Sequence, residues 1–265
     1  MNAHVTYTTG NTGPQPVDIQ LPLSKSLSNR RLVIDALAGI ETPRHAVAEC
    51  DDTNAMLSAL AAGTKADINI GAAGTAMRFL TAYYSIRPGY DITLDGSERM
   101  RQRPIRILVD TLRRLGADIT YLGREGYPPL HIKGRILDGG SIEIDAGVSS
   151  QYISALLMIA PAMTLGLQLT LKGTPVSQPY IAMTIAMMAN RGVTAIQQQS
   201  DQCDHSINIP PALYRDNENT ARVEADWSAA SYWYEVTALT GQPFTLKGLT
   251  QHSLQGDACI STLFE

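Results

Sequence analysis

Hydrophobic positions along the chain switch repeatedly between a spacing of three to four residues and a spacing of two, so helices alternate with strands. Leu27, Leu32, Val33, Ala36 and Leu37 share one face of a helix over residues 26–38, which Gly39 stops. The same spacing predicts helices over 53–62 (ended by Gly63), 75–84, 104–115, 149–163, 179–190 and 228–239. Pro104 sits near the first position of the helix over 104–115, where its missing N–H does no harm, and Gly116 closes that helix. Strands are predicted over 68–70, 91–95, 119–122, 130–133, 141–145, 168–172, 194–198 and 244–247. The run Gln197-Gln198-Gln199 is expected to edge a loop. This alternation predicts an α/β architecture. Three helices begin in segments rich in Ser, Gly or Thr, at 24–28, 71–75 and 147–150, which predicts a repeated supersecondary unit. Residues 255–265 open like a helix and stop without Gly, Pro or a basic last turn, so a piece of a longer protein is expected.

Composition narrows the picture. Hydrophobic residues make up 44% and charged residues 17% of the 265, enough for a packed core. A formal net charge of −4 argues against a general nucleic-acid surface but leaves room for a small anionic ligand. Cys50, Cys203 and Cys259 lie far apart, with no CxxC, which fits a reducing compartment. Residues 1–16 are polar, with Gly and Pro, and no apolar run reaches the ~18 residues of a membrane helix. A cytoplasmic protein without signal peptide or membrane contact is expected. His4, His45, His131, His205 and His252 show no metal-ligand spacing, and no GxSxG elbow occurs.

Several segments carry candidate chemistry. Ser24-Lys25-Ser26-Leu27-Ser28-Asn29-Arg30 offers three hydroxyls and two cations at a helix N-terminus, where unpaired N–H groups attract anions. Arg30 lies one turn after Ser26 and can reach the same side. A plain Ser-capped helix is the alternative. Gly71-Ala72-Ala73-Gly74-Thr75 allows close backbone approach of a ligand, though it is neither a Walker loop nor GxGxxG, and a steric role for the glycines explains it equally. Arg99, Arg101, Arg103 and Arg106 cluster at a helix start, against the helix dipole, so some compensating anion is expected. Ser149-Ser150-Gln151-Tyr152 and Ser177-Gln178-Pro179-Tyr180 are further hydroxyl-rich helix starts. Asp51, Asp52 and Asp226 read as helix caps.

Taken in order, SKSLSNR at 24–30, AGTAMRFL at 73–80, RMRQRPI at 99–105, SSQYISALLM at 149–158, SQPYI at 177–181 and EADWSAASYW at 224–233 resemble the 5-enolpyruvylshikimate-3-phosphate (EPSP) synthase family, from about Leu21 onward. The resemblance implies transfer of the enolpyruvyl group of phosphoenolpyruvate to the 5-hydroxyl of shikimate 3-phosphate, with release of phosphate, in aromatic amino-acid biosynthesis. It implies the inside-out enolpyruvyl transferase fold, two lobes of repeated α/β units. Residues 20–228 would form the shikimate-phosphate-binding lobe of three repeats, with 1–19 and 229–265 parts of a mostly absent second lobe. Lys25 would contact both substrates and assist transfer. Ser26 and Arg30 would bind the shikimate portion, and Ser149, Ser150, Ser177 and Tyr180 the shikimate phosphate. Gly74, Thr75 and Arg103 would hold phosphoenolpyruvate, with Gln151 between the substrates. No metal or organic cofactor is implied.

Two departures from the family pattern stand out. Ala72 replaces a usual Asn and Phe79 an often-found Pro. The family's proton-transferring Asp and Glu belong to the second lobe, so a half-site with little turnover is expected. A related enolpyruvyl transferase acting on UDP-N-acetylglucosamine usually shows Lys-Asn where Lys25-Ser26 stands, and a loop Cys, neither present here. A non-catalytic anion-binding remnant is the alternative from another class. A lobe without its partner should expose an apolar strip around Trp233, Phe244 and Leu249 and self-associate through it.

Overall fold

The computed structural model describes residues 3–5, 15–175, 177–199, 204–216 and 222–264. In chain order its elements are β1 (Ala3–Val5), β2 (Val17–Gln20), α1 (Lys25–Ala38), α2 (Asp51–Leu60), β3 (Lys65–Asn69), α3 (Gly74–Ser85), β4 (Asp91–Asp95), α4 (Glu98–Arg101), α5 (Arg106–Arg114), β5 (Asp118–Tyr121) and β6 (Leu130–Lys133). They continue with β7 (Gly140–Asp145), α6 (Ser150–Ile159), β8 (Leu167–Lys172), α7 (Gln178–Asn190), β9 (Ile196–Gln199), β10 (His205–Ile209), α8 (Trp227–Thr240), β11 (Phe244–Lys247) and α9 (Ile260–Leu263).

One unit occurs twice. In the first, β3 and β4 run parallel, joined by α3, and β6 and then β5 add antiparallel, giving the order β3-β4-β6-β5. In the second, β7 and β8 run parallel, joined by α6, and β10 and then β9 add antiparallel, giving β7-β8-β10-β9. Two of the three small-residue helix starts, at 71–75 and 147–150, thus open the crossover helix of a shared unit, whereas the start at 24–28 opens α1, which follows β2 of a separate sheet. A parallel pair needs a crossover helix, and such a helix starts at the C-terminal end of its first strand. The starts of α3 and α6 consequently lie just beyond β3 and β7.

The strands bury one face. Ile142 and Ile144 on β7, and Leu167, Leu169 and Leu171 on β8, point inward while their neighbours face out. Helices α3 and α6 behave differently. Every residue of α3 except Thr75 is buried, and every residue of α6 except Ser150 and Gln151. Both are apolar nearly all round, as interior helices are. They pack on each other and on α1 in the middle of the main core. A smaller core joins the sheet β1-β11-β2 to α8 through Leu21, Trp227, Tyr234, Phe244 and Leu246.

The structure revises several expectations. Strands β1, β2 and β10 and helix α4 carry no periodicity long enough to announce them. Gln197–Gln199 lie in β9 rather than at a loop edge. Pro104 falls outside α5, which begins at Arg106. Residues 256–259 form a 3₁₀ turn leading into α9. Phe244 and Leu249 are buried, and Trp233 packs on Phe244 at 4.9 Å, so no apolar strip runs there. Tyr232, Val236 and Leu239 of α8 are the exposed apolar side chains in that region. Cys203 lies outside the described residues. No helix among them is long and apolar enough to cross a membrane.

Gly166, before β8, has φ +67°, and a Cβ there would lie 2.2 Å from the carbonyl oxygen of Ile209. Backbone cannot move aside cheaply. Gly166→Ala should therefore lower the unfolding free energy by about 2–4 kcal/mol in a urea titration. Gly63→Ala, with open space around it, should change stability by less than about 1 kcal/mol.

Candidate functional site

Helices α3 and α6 reach the surface only at their first turns, and these turns meet. The Gln151 amide donates from Nε2 to the Thr75 hydroxyl at 3.2 Å. The Thr75 backbone N–H donates to Oδ1 of Asp52 at 3.3 Å, and Oδ2 of Asp52 lies 3.9 Å from Nζ of Lys25. The starts of α1, α3 and α6 thus form one patch. Each contributes N–H groups without an intrahelical partner and the positive end of a helix dipole.

The arginine loop closes one side. The Tyr152 hydroxyl donates to the Pro104 carbonyl at 2.7 Å and ties that loop to α6. Arg103 is exposed and its guanidinium lies over Gly74, where a Cβ would be 2.3 Å from Nη1. Glycine is needed at 74 for that approach. Arg101 pairs with Asp95, and Arg106 lies 3.9 Å from Glu125. The expected compensating anions are thus partly internal. Arg103 makes no ion pair among the described residues.

A second group sits beneath this patch. Arg30 is only 3% exposed. Its Nε donates to the Thr184 hydroxyl at 2.7 Å, Nη1 to the Ser26 carbonyl at 2.9 Å, and Nη2 to the Ser154 hydroxyl at 2.9 Å and the Tyr180 carbonyl at 3.5 Å. Its guanidinium carbon stands 5.5 Å from the Phe79 ring centre and 5.7 Å from that of Tyr180. Arg30 therefore cross-links α1, α6 and α7. All these partners are neutral. Burial pushes its pKa down to about 10, against a smaller upward pull from Tyr180. It stays charged at neutral pH, so folding bears a cost on the order of 3 kcal/mol. Arg78, also buried, is in the same situation: it donates to the Gly74 and Pro104 carbonyls, and burial lowers its pKa, with Arg103 adding to that.

The remaining predicted residues lie at helix starts. Ser149 is the N-cap of α6 and accepts from the Gln151 N–H at 3.3 Å, and Ser150 follows, half-buried. Ser177 is the N-cap of α7 and spends no side-chain bond on that helix. Lys25, with its side chain 51% exposed, stands at the start of α1. The structure brings Lys25, Gly74, Thr75, Arg103 and Gln151 together, and Ser26, Arg30 and Tyr180 together. Asp52, Ser154 and Thr184 went unrecognised in the sequence. Ser154 lies four residues after Ser150 and Thr184 four after Tyr180, a spacing that would have placed them on the site face. Asp52 is in the first turn of α2, whose N-cap is Cys50, so its role as a cap is replaced by contacts to Lys25 and Thr75. Asp226 does cap α8, accepting from the Ala229 N–H at 2.9 Å. A cavity of about 360 Å³ between α1, the end of α7 and residues 222–224 and 250–254 is lined by none of these predicted site residues.

This geometry belongs to a chain with clear relatives. The family model for EPSP synthase (3-phosphoshikimate 1-carboxyvinyltransferase) matches residues 59–264. A 3-phosphoshikimate 1-carboxyvinyltransferase of Bacteroides fragilis is 52% identical over 248 residues, covering 93% of this chain and 58% of that protein. One from Cellvibrio japonicus is 40% identical over 271 residues, covering 93% and 62%. Among solved structures, EPSP synthase from Acinetobacter baumannii superposes with a TM-score of 0.68 at 20% identity, covering 91% of this chain and 57% of that one, which shows a shared fold.

If the charge of Arg30 does not serve stability, Arg30→Met should leave the unfolding free energy within about 1 kcal/mol of the parent, or raise it. Arg191, whose Nη2 lies 2.5 Å from Oδ1 of buried Asp35, is the contrast: Arg191→Met should cost about 3 kcal/mol. Equal losses in chemical denaturation would contradict the distinction.

Proposed function

The chain belongs to the EPSP synthase family, and from that premise we propose that the patch at the starts of α1, α3 and α6 is a shikimate 3-phosphate site beside a phosphoenolpyruvate site. The observation that carries this is a group of arginines without a carboxylate partner among the described residues, Arg30, Arg78 and Arg103, beside helix N-termini and serine hydroxyls. Two anionic ligands supply the missing charge. On this reading Ser149, Ser150, Ser177 and Tyr180 hold the shikimate phosphate, and Ser26 holds the ring hydroxyls. Arg30, almost all of whose N–H groups are engaged within the chain, stiffens that wall and lends it charge. Gly74, Thr75 and Arg103 receive phosphoenolpyruvate, with Lys25 and Gln151 between the two.

The parent reaction is transfer of the enolpyruvyl group to the 5-hydroxyl, with loss of phosphate. It needs a proton placed on the methylene carbon while the hydroxyl loses one and its oxygen bonds the adjacent carbon, then a proton taken from the resulting methyl group as phosphate leaves. The chain spans about 58% of the length of the curated relatives it matches. Among the described residues the carboxylates beside Lys25 are Asp52, engaged by the Thr75 N–H, and Asp226, which accepts from the Lys25 N–H at 3.3 Å and the Ala229 N–H at 2.9 Å. The chain therefore contributes substrate binding, with residues 20–228 as the binding lobe and 1–19 and 229–265 as parts of a second, and with little turnover of its own. The exposed Tyr232, Val236 and Leu239 of α8 offer a face for self-association, and the setting is the cytoplasm.

Titration calorimetry with shikimate 3-phosphate should show saturable one-site binding, weakened about ten-fold or more in Lys25→Ala. Phosphate release with both substrates should stay near background. No binding heat at millimolar ligand would remove the half-site reading, and turnover comparable to a full-length relative would remove the claim of weak catalysis.

A further inference from the structure

Ser24 is the N-cap of α1, yet its hydroxyl does not cap the helix. It is fully buried and donates instead to Oε1 of Gln255, at 2.8 Å and 231 residues away. The Gln255 amide is saturated. Its Oε1 also accepts from the Trp227 N–H at 3.2 Å, and its Nε2 donates to Oε1 of Glu224 at 2.9 Å and to the Ala225 carbonyl at 2.8 Å. Glu224 is fixed in turn by the Ser253 hydroxyl at 2.5 Å and by the Thr250 hydroxyl. With two acceptors facing Nε2, the amide cannot flip, so its oxygen always faces Ser24.

The consequence lies at the first turn of α1. An N-cap serine ordinarily accepts from the N–H of the second or third helical residue, here Ser26 or Leu27. Held by Gln255, the Ser24 oxygen leaves both amides open. From this geometry we infer that Gln255, oriented by Glu224, is a positioning residue that keeps the Ser24 hydroxyl off α1, so that the Ser26 and Leu27 amides face an anion, while the Lys25 N–H donates to Oδ2 of Asp226 at 3.3 Å. This rests on the anion-site reading above. The alternative is that Gln255 merely packs the crossing of residues 20–25 and 222–226.

Replacement of Gln255 frees the Ser24 hydroxyl to turn and cap its own helix, in competition with the ligand. Gln255→Met, nearly isosteric, should weaken shikimate 3-phosphate binding about ten-fold. Ser24→Ala should bind within about three-fold of the parent, and Ser24→Ala/Gln255→Met should recover to that level, because no hydroxyl remains to compete. A ligand-free readout separates this from the site reading: amide hydrogen exchange at Ser26 and Leu27 should slow in Gln255→Met and not in the double variant. Gln255→Asn serves the same test if the Met variant does not fold. A double variant as weak as Gln255→Met, or exchange unchanged in Gln255→Met, overturns the inference. Absence of binding in the parent with the exchange pattern intact overturns only the ligand assignment.

Discussion

Two helices that are apolar on almost every face can meet water only at an end. Helices α3 and α6 are packed against each other and α1 in the main core, and Thr75, Ser150 and Gln151 are their residues outside it. The parallel pairs β3-β4 and β7-β8 decide which end surfaces, since a crossover helix begins where its first strand finishes. Duplication of one unit then doubles the effect. Two helix N-termini, joined by that of α1, open onto the same patch. The hydrophobic pattern thereby gathers three helix N-termini on one surface, in a chain whose net charge is −4.

The cations that are present divide into two kinds. Arg191, Arg101 and Lys172 have carboxylate partners, Asp35, Asp95 and Asp204, and belong to the scaffold. Arg30 has hydroxyls, carbonyls and rings around it. A buried charge without a counter-charge opposes folding, and such sites in natural proteins tend to be functional. The rest of the patch follows the same logic. Gly74 forgoes a side chain so that Arg103 can lie close, and Ser24 forgoes its cap.

Much of this was readable beforehand. Helices α1, α3 and α7 are legible to within one or two residues, because Ser, Gly, Thr or Pro at their starts bracket apolar runs of helical length. The repeat was visible in its small-residue helix starts. Strands β2 and β10 were not, since four or five residues of mixed polarity carry little periodicity and their pairing is decided by distant partners. The apolar strip around Phe244 and Leu249 was misplaced because a sequence shows that a residue is apolar, not which sheet covers it. Arg30 was identified as a site residue, but its burial against Ser154 and Thr184 depends on contacts 124 and 154 residues away. Asp52 looked like a cap because capping is local, while Lys25 and Thr75 are not.

The central claim is that the charge left uncompensated at Arg30 and at the helix starts is matched by a phosphorylated shikimate. A ³¹P NMR titration of shikimate 3-phosphate with the chain tests it directly. The account predicts that the phosphate resonance shifts with saturation in the parent and stays at its free position in Arg30→Met. A resonance that does not move in the parent, or moves equally in both, would contradict it.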